Sequence, residues 1–487
     1  MAGVDCSTQS TTVEVRDAST GELIASGSAP HPPVTPPVAE QHPDAWWRAF
    51  EHAWAEAGAP KVAAISVAAQ QHGMVALGAG GEVLRPAVLW CDTTSAEDAA
   101  RLVERLEGGA AAWAERCGLV PVASFTISKL ARLRRVEPDV YSRLERVCLP
   151  HDWLTHRLTG GEPVTDRGDA SGTGYWSSTA VAARERSVAE AAPTSGPGGY
   201  VESLLDLVDP ERDWTRALPR VLGPSEPAGR WREQGALVGP GTGDNMGAAL
   251  GLGVGPGELV LSIGTSGTAY VVSEAPVADA SGAVASFADA TGRFLPLVCT
   301  LNAAKVTDAV ARLLGVDHEG LDRLALAATP DVGELVLLPY FDGERTPNRP
   351  HATGVLAGLR SDATREQVAR AAFEGVVCGL LDAVDALARL APIGDTITLV
   401  GGGARSEAYR RILADLSGRA VVTPELGETV ALGACVQAAA VLDGAPPEAV
   451  RATWQLGSGR LTEPDPRVPP EELRARYRKR REREDAE

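Results

Sequence analysis

Residues 2–17, "AGVDCSTQSTTVEVRD", carry the pattern from which the fold is predicted. An apolar run ends at Asp5, a turn rich in hydroxyl and amide side chains follows, and "TTVEVR" then alternates between polar and apolar residues. This order is typical of two strands joined by a tight turn. Residues 258–274, "ELVLSIGTSGTAYVVSE", repeat the order of strand, short polar turn and strand. The sequence therefore predicts the same hairpin near the start of each half of the chain.

A second motif also occurs once in each half. The strand predicted from "AAISVAA" leads into "QQHG" at 70–73, and the strand "TITLV" leads into "GGGARS" at 401–406. Repeated supersecondary units indicate a duplicated domain, and 487 residues are enough for two. We therefore predict two α/β domains with the ranges 1–238 and 239–450. Residues 451–487 are predicted to be a charged helical tail, solvated or frayed, because charges of both signs are interleaved there.

The composition argues against several classes of function. A formal net charge of −18 disfavours non-specific binding to nucleic acid or to an anionic membrane. The N-terminus lacks a basic segment followed by a long apolar one, and no apolar run approaches the roughly 18 residues of a membrane span. Seven scattered cysteines without C-x-x-C spacing indicate reduced thiols. We therefore expect a cytoplasmic protein with small-molecule partners, no nucleic acid and no membrane, and with a homodimer as one possible state.

Common nucleotide-binding motifs are absent from the sequence. Neither G-x-x-x-x-G-K-[ST] nor a G-x-G-x-x-G that follows a strand occurs. The lysines are few: Lys61, Lys129, Lys305 and Lys479. A nucleotide site would therefore depend on backbone N–H groups, hydroxyl groups, arginine and magnesium. We also find no His/Cys/Asp cluster with the local spacing of a metal site.

The first hairpin turn has residue types that suit a phosphate site. Asp5 is followed by Ser7, Thr8 and Gln9. Asp5 is interpreted either as an Asx-turn residue or as an acid beside a polyphosphate. Because Mg²⁺ needs only one or two carboxylates, Asp5 alone is a sufficient candidate ligand. The second hairpin supplies Thr265 as the matching hydroxyl group.

The polar group Gln70-Gln71-His72 stands at the end of a predicted buried strand. Three adjacent hydrogen-bonding side chains suit a ligand with many hydroxyl groups. Trp90 and Asp92 are candidates for an apolar ring and an acceptor on the same ligand. The alternative interpretation is that His72 is a structural histidine.

Asp244 is the one carboxylate in the glycine-rich stretch "GTGDNMGAA", residues 241–249. Bare glycines allow a ligand to approach the backbone closely. On position alone, Asp244 is interpreted as a helix cap, a metal ligand or a proton acceptor, and these alternatives stay open.

Seven strings, in order and spacing, resemble the FGGY carbohydrate kinases up to about residue 445. They are "VDCSTQST", "QQHG", "LWCD", "GTGDN", "SIGTSGT", "PYFDGERTP" and "LVGGGARS". The resemblance implies two duplicated actin/ribonuclease-H-like domains around a central cleft, with the sugar on the N-terminal side and the nucleotide on the C-terminal side.

The implied reaction is ATP-dependent phosphorylation of D-xylulose at O5. Asp244 matches the catalytic base, and Asp5 matches the acid beside the phosphates and Mg²⁺. The matching sugar contacts are Gln71, His72, Trp90, Asp92 and Asn245, and the matching nucleotide contacts are Ser7, Thr8, Gln9, Gly264, Thr265, Ala303, Gly402 and Gly403. Alternatives are another ketose, a polyol or a sugar acid as substrate, or an inactive actin-like ATP-binding protein.

Several positions depart from the usual pattern of the family: Gln71 stands where Met is usual, and the usual Arg soon after Asp92 is missing. Ser7 replaces a glycine, Thr12 stands where many members have Lys or Arg, and Cys91 replaces an Asn. Because Thr12 removes a cation that would face the phosphates, we hypothesise that Lys305 supplies a replacement.

Overall fold

The computed structural model describes residues 1–178, 198–330, 333–349, 351–425 and 427–486. It forms two compact units, each built from three separate segments of the chain. The first unit contains Met1–Val254, Glu274–Leu295 and Leu426–Gly457. The second unit contains Gly255–Ser273, Pro296–Glu425 and Ser458–Glu487.

The sheet of the first unit is built around the predicted first hairpin. Its strands lie in the order Gly229–Arg230, Leu237–Val238, Ala64–Ala69, Ala2–Cys6, Ser10–Arg16 and Leu23–Pro30, and Thr242–Gly243 also pairs with Ala64–Ala69. The hairpin strands are antiparallel, with Asp5 opposite Thr12. Ala2–Cys6 then runs parallel to Ala64–Ala69, with Asp5 opposite Ala68. The hairpin therefore leads into a parallel half of the sheet.

The sheet of the second unit repeats this topology. Its strands follow the order Phe294–Thr300, Gly267–Val271, Leu259–Ile263, Thr396–Val400, Ala420–Pro424 and Gly459–Thr462. Leu259–Ile263 and Gly267–Val271 form the predicted second hairpin. Leu259–Ile263 then pairs in parallel with Thr396–Val400. The predicted duplication of an α/β domain is confirmed, because both sheets place an antiparallel hairpin beside parallel strands.

Helices and short strands complete each unit. The helices of the first unit are Pro43–Glu56, Ala96–Arg105, Gly109–Cys117, Thr126–Val136, Pro138–Ser142, Pro150–Thr159, Arg167–Ser171, Glu202–Leu205, Asp244–Leu252, Thr429–Asp443 and Pro447–Trp454. Its further strands are Glu40–Gln41, Val75–Leu77, Ala87–Val88, Arg146–Cys148, Val164–Asp166, Trp176–Ser177, Gly199–Tyr200, Arg220–Leu222 and Ala285–Ala288. The second unit has helices Ala304–Leu314, His318–Ala327, Arg365–Ala388, Glu407–Ser417 and Pro470–Ala486, a 3₁₀ turn at Gly402–Arg405, and strands Val336–Leu338 and Val355–Ala357.

Two helices of the first unit pack together through glycines. A Cβ on Gly433 would lie 1.8 Å from the carbonyl oxygen of Gly247, and one on Gly251 would lie 2.0 Å from the carbonyl oxygen of Thr429. The helix Asp244–Leu252 therefore meets the helix Thr429–Asp443 backbone to backbone. Gly247 and Gly251 serve this contact, so the expectation that the glycines of 241–249 make room for a ligand is wrong for Gly247.

This helix pair explains how the compact units divide. The predicted division at 238/239 is a single boundary, whereas residues 239–254 and 426–450 lie in the first unit. The helix Thr429–Asp443 packs on Asp244–Leu252 and on four strands of the first sheet. One boundary along the chain therefore cannot separate two units that are each made of three segments.

The C-terminal segment is docked, so the prediction of a solvated or frayed tail is wrong. Gly459–Thr462 adds an antiparallel strand to Ala420–Pro424. In the helix Pro470–Ala486, the Tyr477 ring is buried and its hydroxyl lies 3.4 Å from the Tyr340 hydroxyl. Apolar packing therefore accompanies the interleaved charges.

Within the described ranges, no single helix combines the length and apolarity needed to cross a membrane. One pair, Thr429–Asp443 and Pro447–Trp454, passes that test together but is bent by 114°. All seven cysteines are free thiols.

Candidate active site

Asp244 is the first residue of its helix, and Gly243 occupies the N-cap position. The carboxylate is half-buried, and its Oδ1 accepts hydrogen bonds from the Asn245 backbone N–H at 2.8 Å and from Asn245 Nδ2 at 2.9 Å. The N-cap residue, Gly243, has no side chain that could cap the helix, and the Asp244 carboxylate accepts its hydrogen bonds from the adjacent Asn245. The interpretation of Asp244 as the N-cap is therefore wrong.

The strand before Asp244 places it beside the glutamines. Thr242–Gly243 runs parallel to Ala64–Ala69, with Gly243 opposite Ala69. The chain therefore reaches Asp244 where the neighbouring strand reaches Gln70 and Gln71. Asn245 Nδ2 donates a hydrogen bond to Gln71 Oε1 at 3.0 Å. The structure thus brings Gln71 to Asn245, its partner 174 positions further along the chain and the neighbour of Asp244.

Asp5 lies at the same edge of the sheet. It stands near the carboxyl end of Ala2–Cys6, which is the other parallel neighbour of Ala64–Ala69. Its side chain is buried, and Ser7 Oγ donates a hydrogen bond to Asp5 Oδ1 at 2.7 Å. Carboxyl ends of parallel strands are where open α/β sheets bind ligands. This edge therefore holds both candidate acids, Asp5 and Asp244, with the glutamines.

Both acids hold their protons more tightly than an exposed aspartate. Burial raises the pKa of Asp244 to about 6. Burial, together with the nearby charges of Asp244 and Glu428, raises the pKa of Asp5 to about 7 although the Ser7 hydrogen bond lowers it. Each acid therefore titrates close to neutral pH. A cation bound at this edge would lower both pKa values, because it favours the charged carboxylates.

The first hairpin turn contacts the same edge. Thr8 Oγ1 donates to Gln70 Oε1 at 3.3 Å and accepts from Trp90 Nε1 at 2.9 Å. Ser7 is half-buried, whereas Gln9 is exposed. The buried Nε2 atoms of Gln70 and Gln71 have no partner among the described residues. The structure therefore groups Thr8, Trp90 and the glutamines, with two amide donors still available.

His72 has a strained backbone, with φ at 64°. Its ring packs edge-on against Phe125, with ring centroids 5.0 Å apart, and lies 5.5 Å from Phe287. Its carbonyl oxygen accepts from Lys129 Nζ at 2.6 Å and from Thr126 Oγ1 at 3.3 Å. Lys129 is buried, and burial lowers its pKa to about 7. Sequence reasoning missed Lys129, whose contact with His72 spans 57 positions.

Asp92 lies in a different environment from the other predicted sugar contacts. Its Oδ2 accepts from the Ala39 backbone N–H at 2.8 Å, and its Oδ1 accepts from the backbone N–H and the hydroxyl of Thr94. The side chain is buried. The Asp92 carboxylate holds two loops together, so Asp92 is not assigned to the sugar site.

The candidate nucleotide residues of the second unit also cluster. The Ala303 backbone N–H donates to the Thr265 carbonyl at 3.2 Å, and that of Ala304 donates to the Gly264 carbonyl at 2.9 Å. Ala303 is the N-cap residue of the helix Ala304–Leu314. The second hairpin turn is therefore tied to a helix N-terminus, which is a favourable place for an anion.

The glycine turn after Thr396–Val400 lies against the same hairpin. Gly401 has a φ of +84°, and a Cβ on Gly403 would lie 2.3 Å from Ile263 Cγ2. A Cβ on Gly402 would contact nothing within 4 Å. Gly403 therefore serves packing, while Gly402 leaves backbone open to a ligand.

The loop at 342–347 is anchored rather than a free surface loop. Lys305 Nζ lies 3.0 Å from Asp342 Oδ2. Glu344 is buried and accepts from the backbone N–H of Leu301 and from Asn302 Nδ2 at 2.9 Å. Glu344 therefore fastens the loop to the chain at 301–302.

A buried histidine–carboxylate cluster was not expected. His151 Nδ1 lies 2.6 Å from Asp169 Oδ2, and His151 Nε2 lies 3.1 Å from Asp152 Oδ1 and 3.9 Å from Asp166 Oδ1. The prediction that no His/Cys/Asp cluster has metal spacing refers to spacing along the chain. In space, His151, Asp166 and Asp169 form such a group.

Comparisons with known proteins agree with this architecture. The N-terminal domain model of the FGGY family of carbohydrate kinases matches residues 1–182, and the C-terminal domain model matches residues 259–442. A xylulose kinase of Streptomyces coelicolor is 47% identical over 471 residues, which are 94% of this chain and 91% of that protein. A xylulose kinase of Streptomyces rubiginosus is 46% identical over 475 residues, 95% of this chain and 92% of that protein.

Among solved structures, the xylulose kinase of Bifidobacterium adolescentis superposes with a TM-score of 0.84 at 39% identity and covers 99% of both chains. The resemblance inferred from the seven strings is confirmed, as is the two-domain fold that it implied. The chain belongs to the FGGY family of carbohydrate kinases.

Proposed function

We propose that the protein transfers the γ-phosphoryl group of ATP to O5 of D-xylulose, with Asp244 as the general base. The observation that carries this proposal is the position of Asp244 at the sheet edge beside Gln71 and Asn245, in a chain 47% identical to a xylulose kinase over 94% of its length.

The chemistry of phosphoryl transfer suits this arrangement. The reaction needs positioning, charge neutralisation and an acceptor for the hydroxyl proton. A sugar hydroxyl does not ionise beforehand at neutral pH, so a carboxylate within hydrogen-bond reach takes the proton as the P–O bond forms. The pKa of Asp244, about 6, leaves it mostly ionised at pH 7 and yet basic enough to accept that proton. Its Oδ1 is held by Asn245, which leaves Oδ2 for the substrate.

We assign the sugar to the group around Gln71, His72, Trp90 and Asn245. Two buried glutamine amides without partners in the described chain support a ligand rich in hydroxyl groups. An unpaired buried polar atom is costly, so binding a hydroxyl group there would be favourable.

We assign the phosphates and the nucleotide to the hairpin turns and the glycine turn. In the second unit, Gly264, Thr265, Ala303, Gly402 and Gly403 supply backbone groups at a helix N-terminus and at strand ends. In the first unit, the carboxylate of Asp5 and the hydroxyl of Ser7 are oxygen donors of the kind that Mg²⁺ binds, so these residues fit the metal. Bound Mg²⁺ would neutralise charge on the phosphates.

The substrate is tested by sugar-dependent ADP release from the purified protein with D-xylulose, D-ribulose, L-ribulose, glycerol and gluconate. We expect the highest kcat/KM with D-xylulose, and ³¹P NMR of the product should place the phosphate on C5. A higher kcat/KM with another acceptor would contradict the proposed sugar, and no ADP release with any acceptor would contradict a sugar kinase and favour the inactive ATP-binding alternative.

A further inference from the structure

The buried cluster around His151 lies directly beneath the strand that leads to Asp244. Thr242 Oγ1 donates a hydrogen bond to Asp166 Oδ2 at 2.9 Å. A Cβ on Gly241 would lie 2.2 Å from His151 Cδ2, and one on Gly243 would lie 2.8 Å from Asp169 Oδ1. All three residues that precede Asp244 therefore rest on the cluster, and here the glycines make room for protein side chains.

The geometry around His151 indicates an imidazolium. His151 Nδ1 is hydrogen-bonded to Asp169, whereas Nε2 lies 3.1 Å from Asp152 Oδ1 and 3.9 Å from Asp166 Oδ1 without an aligned hydrogen bond among the described residues. A neutral imidazole has only one N–H donor, so it would place a lone pair against a carboxylate. Burial opposes the positive charge, but the three carboxylates outweigh it and raise the pKa of His151 to about 9.

A metal ion explains the cluster less well than a proton does. The 2.6 Å separation of His151 Nδ1 and Asp169 Oδ2 is that of a direct hydrogen bond. Two ligands of one zinc ion stand about 3 Å apart or more. The cluster therefore holds a proton between the two side chains.

We propose that His151 and Asp169 are positioning residues for Asp244. The His151 imidazolium fixes the Asp169 carboxylate beneath Gly243, and this fixes the backbone from which the Asp244 side chain reaches the substrate. The inference rests on the proposed function, in which Asp244 is the base. Neither His151 nor Asp169 is assigned a contact with the substrate.

Charge couples the same residues. The carboxylates that face His151 are Asp152, Asp166 and Asp169. The negative charge of Asp244 contributes to the raised pKa of Asp169. His151→Gln removes a positive charge, so Asp244 should keep its proton to higher pH. Asp169→Asn removes a negative charge, so Asp244 should lose its proton at lower pH.

The test compares these two variants with the wild type and with Tyr141→Phe, which removes a buried hydrogen bond to Asp209 elsewhere in the unit. We expect kcat with D-xylulose to fall on the order of 10- to 100-fold in His151→Gln and Asp169→Asn, with the KM for ATP unchanged. In the pH profile of kcat, the midpoint of the acid limb should shift to higher pH in His151→Gln and to lower pH in Asp169→Asn, by about half a pH unit or more in each case. Tyr141→Phe should change neither quantity.

A His151→Gln protein that folds and retains the wild-type kcat and pH profile would overturn the inference. NMR titration of the His151 ring in the wild type supplies a readout that needs neither catalysis nor a stable variant. A midpoint above pH 8 supports the imidazolium, and a midpoint below pH 7 would overturn it. If the wild type releases no ADP with any sugar, the proposed function fails, whereas the NMR result still decides the state of His151.

Discussion

At the scale of single residues, the candidate site combines groups that are visible in the sequence with groups that are not. Asp5 and the glutamines stand at the ends of apolar runs, and Asp244 stands in a glycine-rich stretch, so their type and position indicated a site. Lys129 gave no such signal, because a lysine in "TISKLARL" reads as an ordinary helix residue. Its role depends on a contact with the His72 carbonyl that only the folded chain creates.

Lys129→Met tests that role. The hydrogen bond from Lys129 Nζ stabilises His72 at a φ of 64°, a conformation that costs about 1–3 kcal/mol. Without it, we expect the loop to relax and the KM for D-xylulose to rise about tenfold or more, while the KM for ATP stays the same. Steady-state kinetics measure both constants. Equal KM values for the sugar in the variant and the wild type would show that Lys129 does not support the sugar site.

At the scale of elements, both hairpins and the strands that follow them were predictable, because alternation and turn residues are local signals. The partner of a helix is not a local signal. The stretch after Asp244 is rich in small residues, which we interpreted from the sequence as room for a ligand. The structure places the helix Thr429–Asp443 there, at a distance that only glycine allows.

Gly433→Ala tests this helix contact. The new methyl group would lie 1.8 Å from the Gly247 carbonyl oxygen, so the helices must move apart and we expect a loss of about 1–3 kcal/mol of unfolding free energy. Gly379→Ala is the matched control, because Gly379 also lies inside a helix but a Cβ there would find its nearest neighbour at 3.7 Å. Helix propensity should leave Gly379→Ala unchanged or more stable. Urea unfolding measures both, and equal midpoints for the two variants would contradict the proposed close contact.

At the scale of the whole molecule, the sequence revealed the duplication but not the three-segment composition of each unit. Repeated strings mark where a topology starts again, whereas the return of residues 426–457 to the first unit depends on packing. The charged C-terminal helix was misread for the same reason. Its buried Tyr477 is one apolar residue among many charges, and composition gives no sign of its partner Tyr340.

Several buried acids make the stability of the molecule depend on pH. The pKa values of Asp5 and Asp152 are raised by burial to about 7, and those of Asp169 and Asp244 to about 6. The folded chain therefore binds more protons than the unfolded chain between about pH 4 and 7, and its stability falls as pH rises through that window. Above pH 7, His151 continues this trend, whereas Lys129 opposes it because its pKa is lowered.

We therefore expect the protein to melt at a higher temperature at pH 5 than at pH 7, in buffers of equal ionic strength. Asp5→Asn should reduce the difference, because it removes one of the four titrating groups. Differential scanning calorimetry measures the melting temperature at each pH for both proteins. A melting temperature that rises from pH 5 to pH 7 in the wild type would show that these carboxyl groups are ionised in the folded protein.

Asp244→Asn tests whether Asp244 accepts the proton of the sugar hydroxyl. The amide oxygen can still accept the hydrogen bonds of Asn245, but the side chain is no longer a base. We predict that kcat for D-xylulose-dependent ADP release falls at least about 100-fold while the Kd for ATP is unchanged. Asp44→Asn, in which the acid also lies in a first helical turn, should keep the wild-type rate. An Asp244→Asn enzyme with a kcat close to that of the wild type would contradict the account.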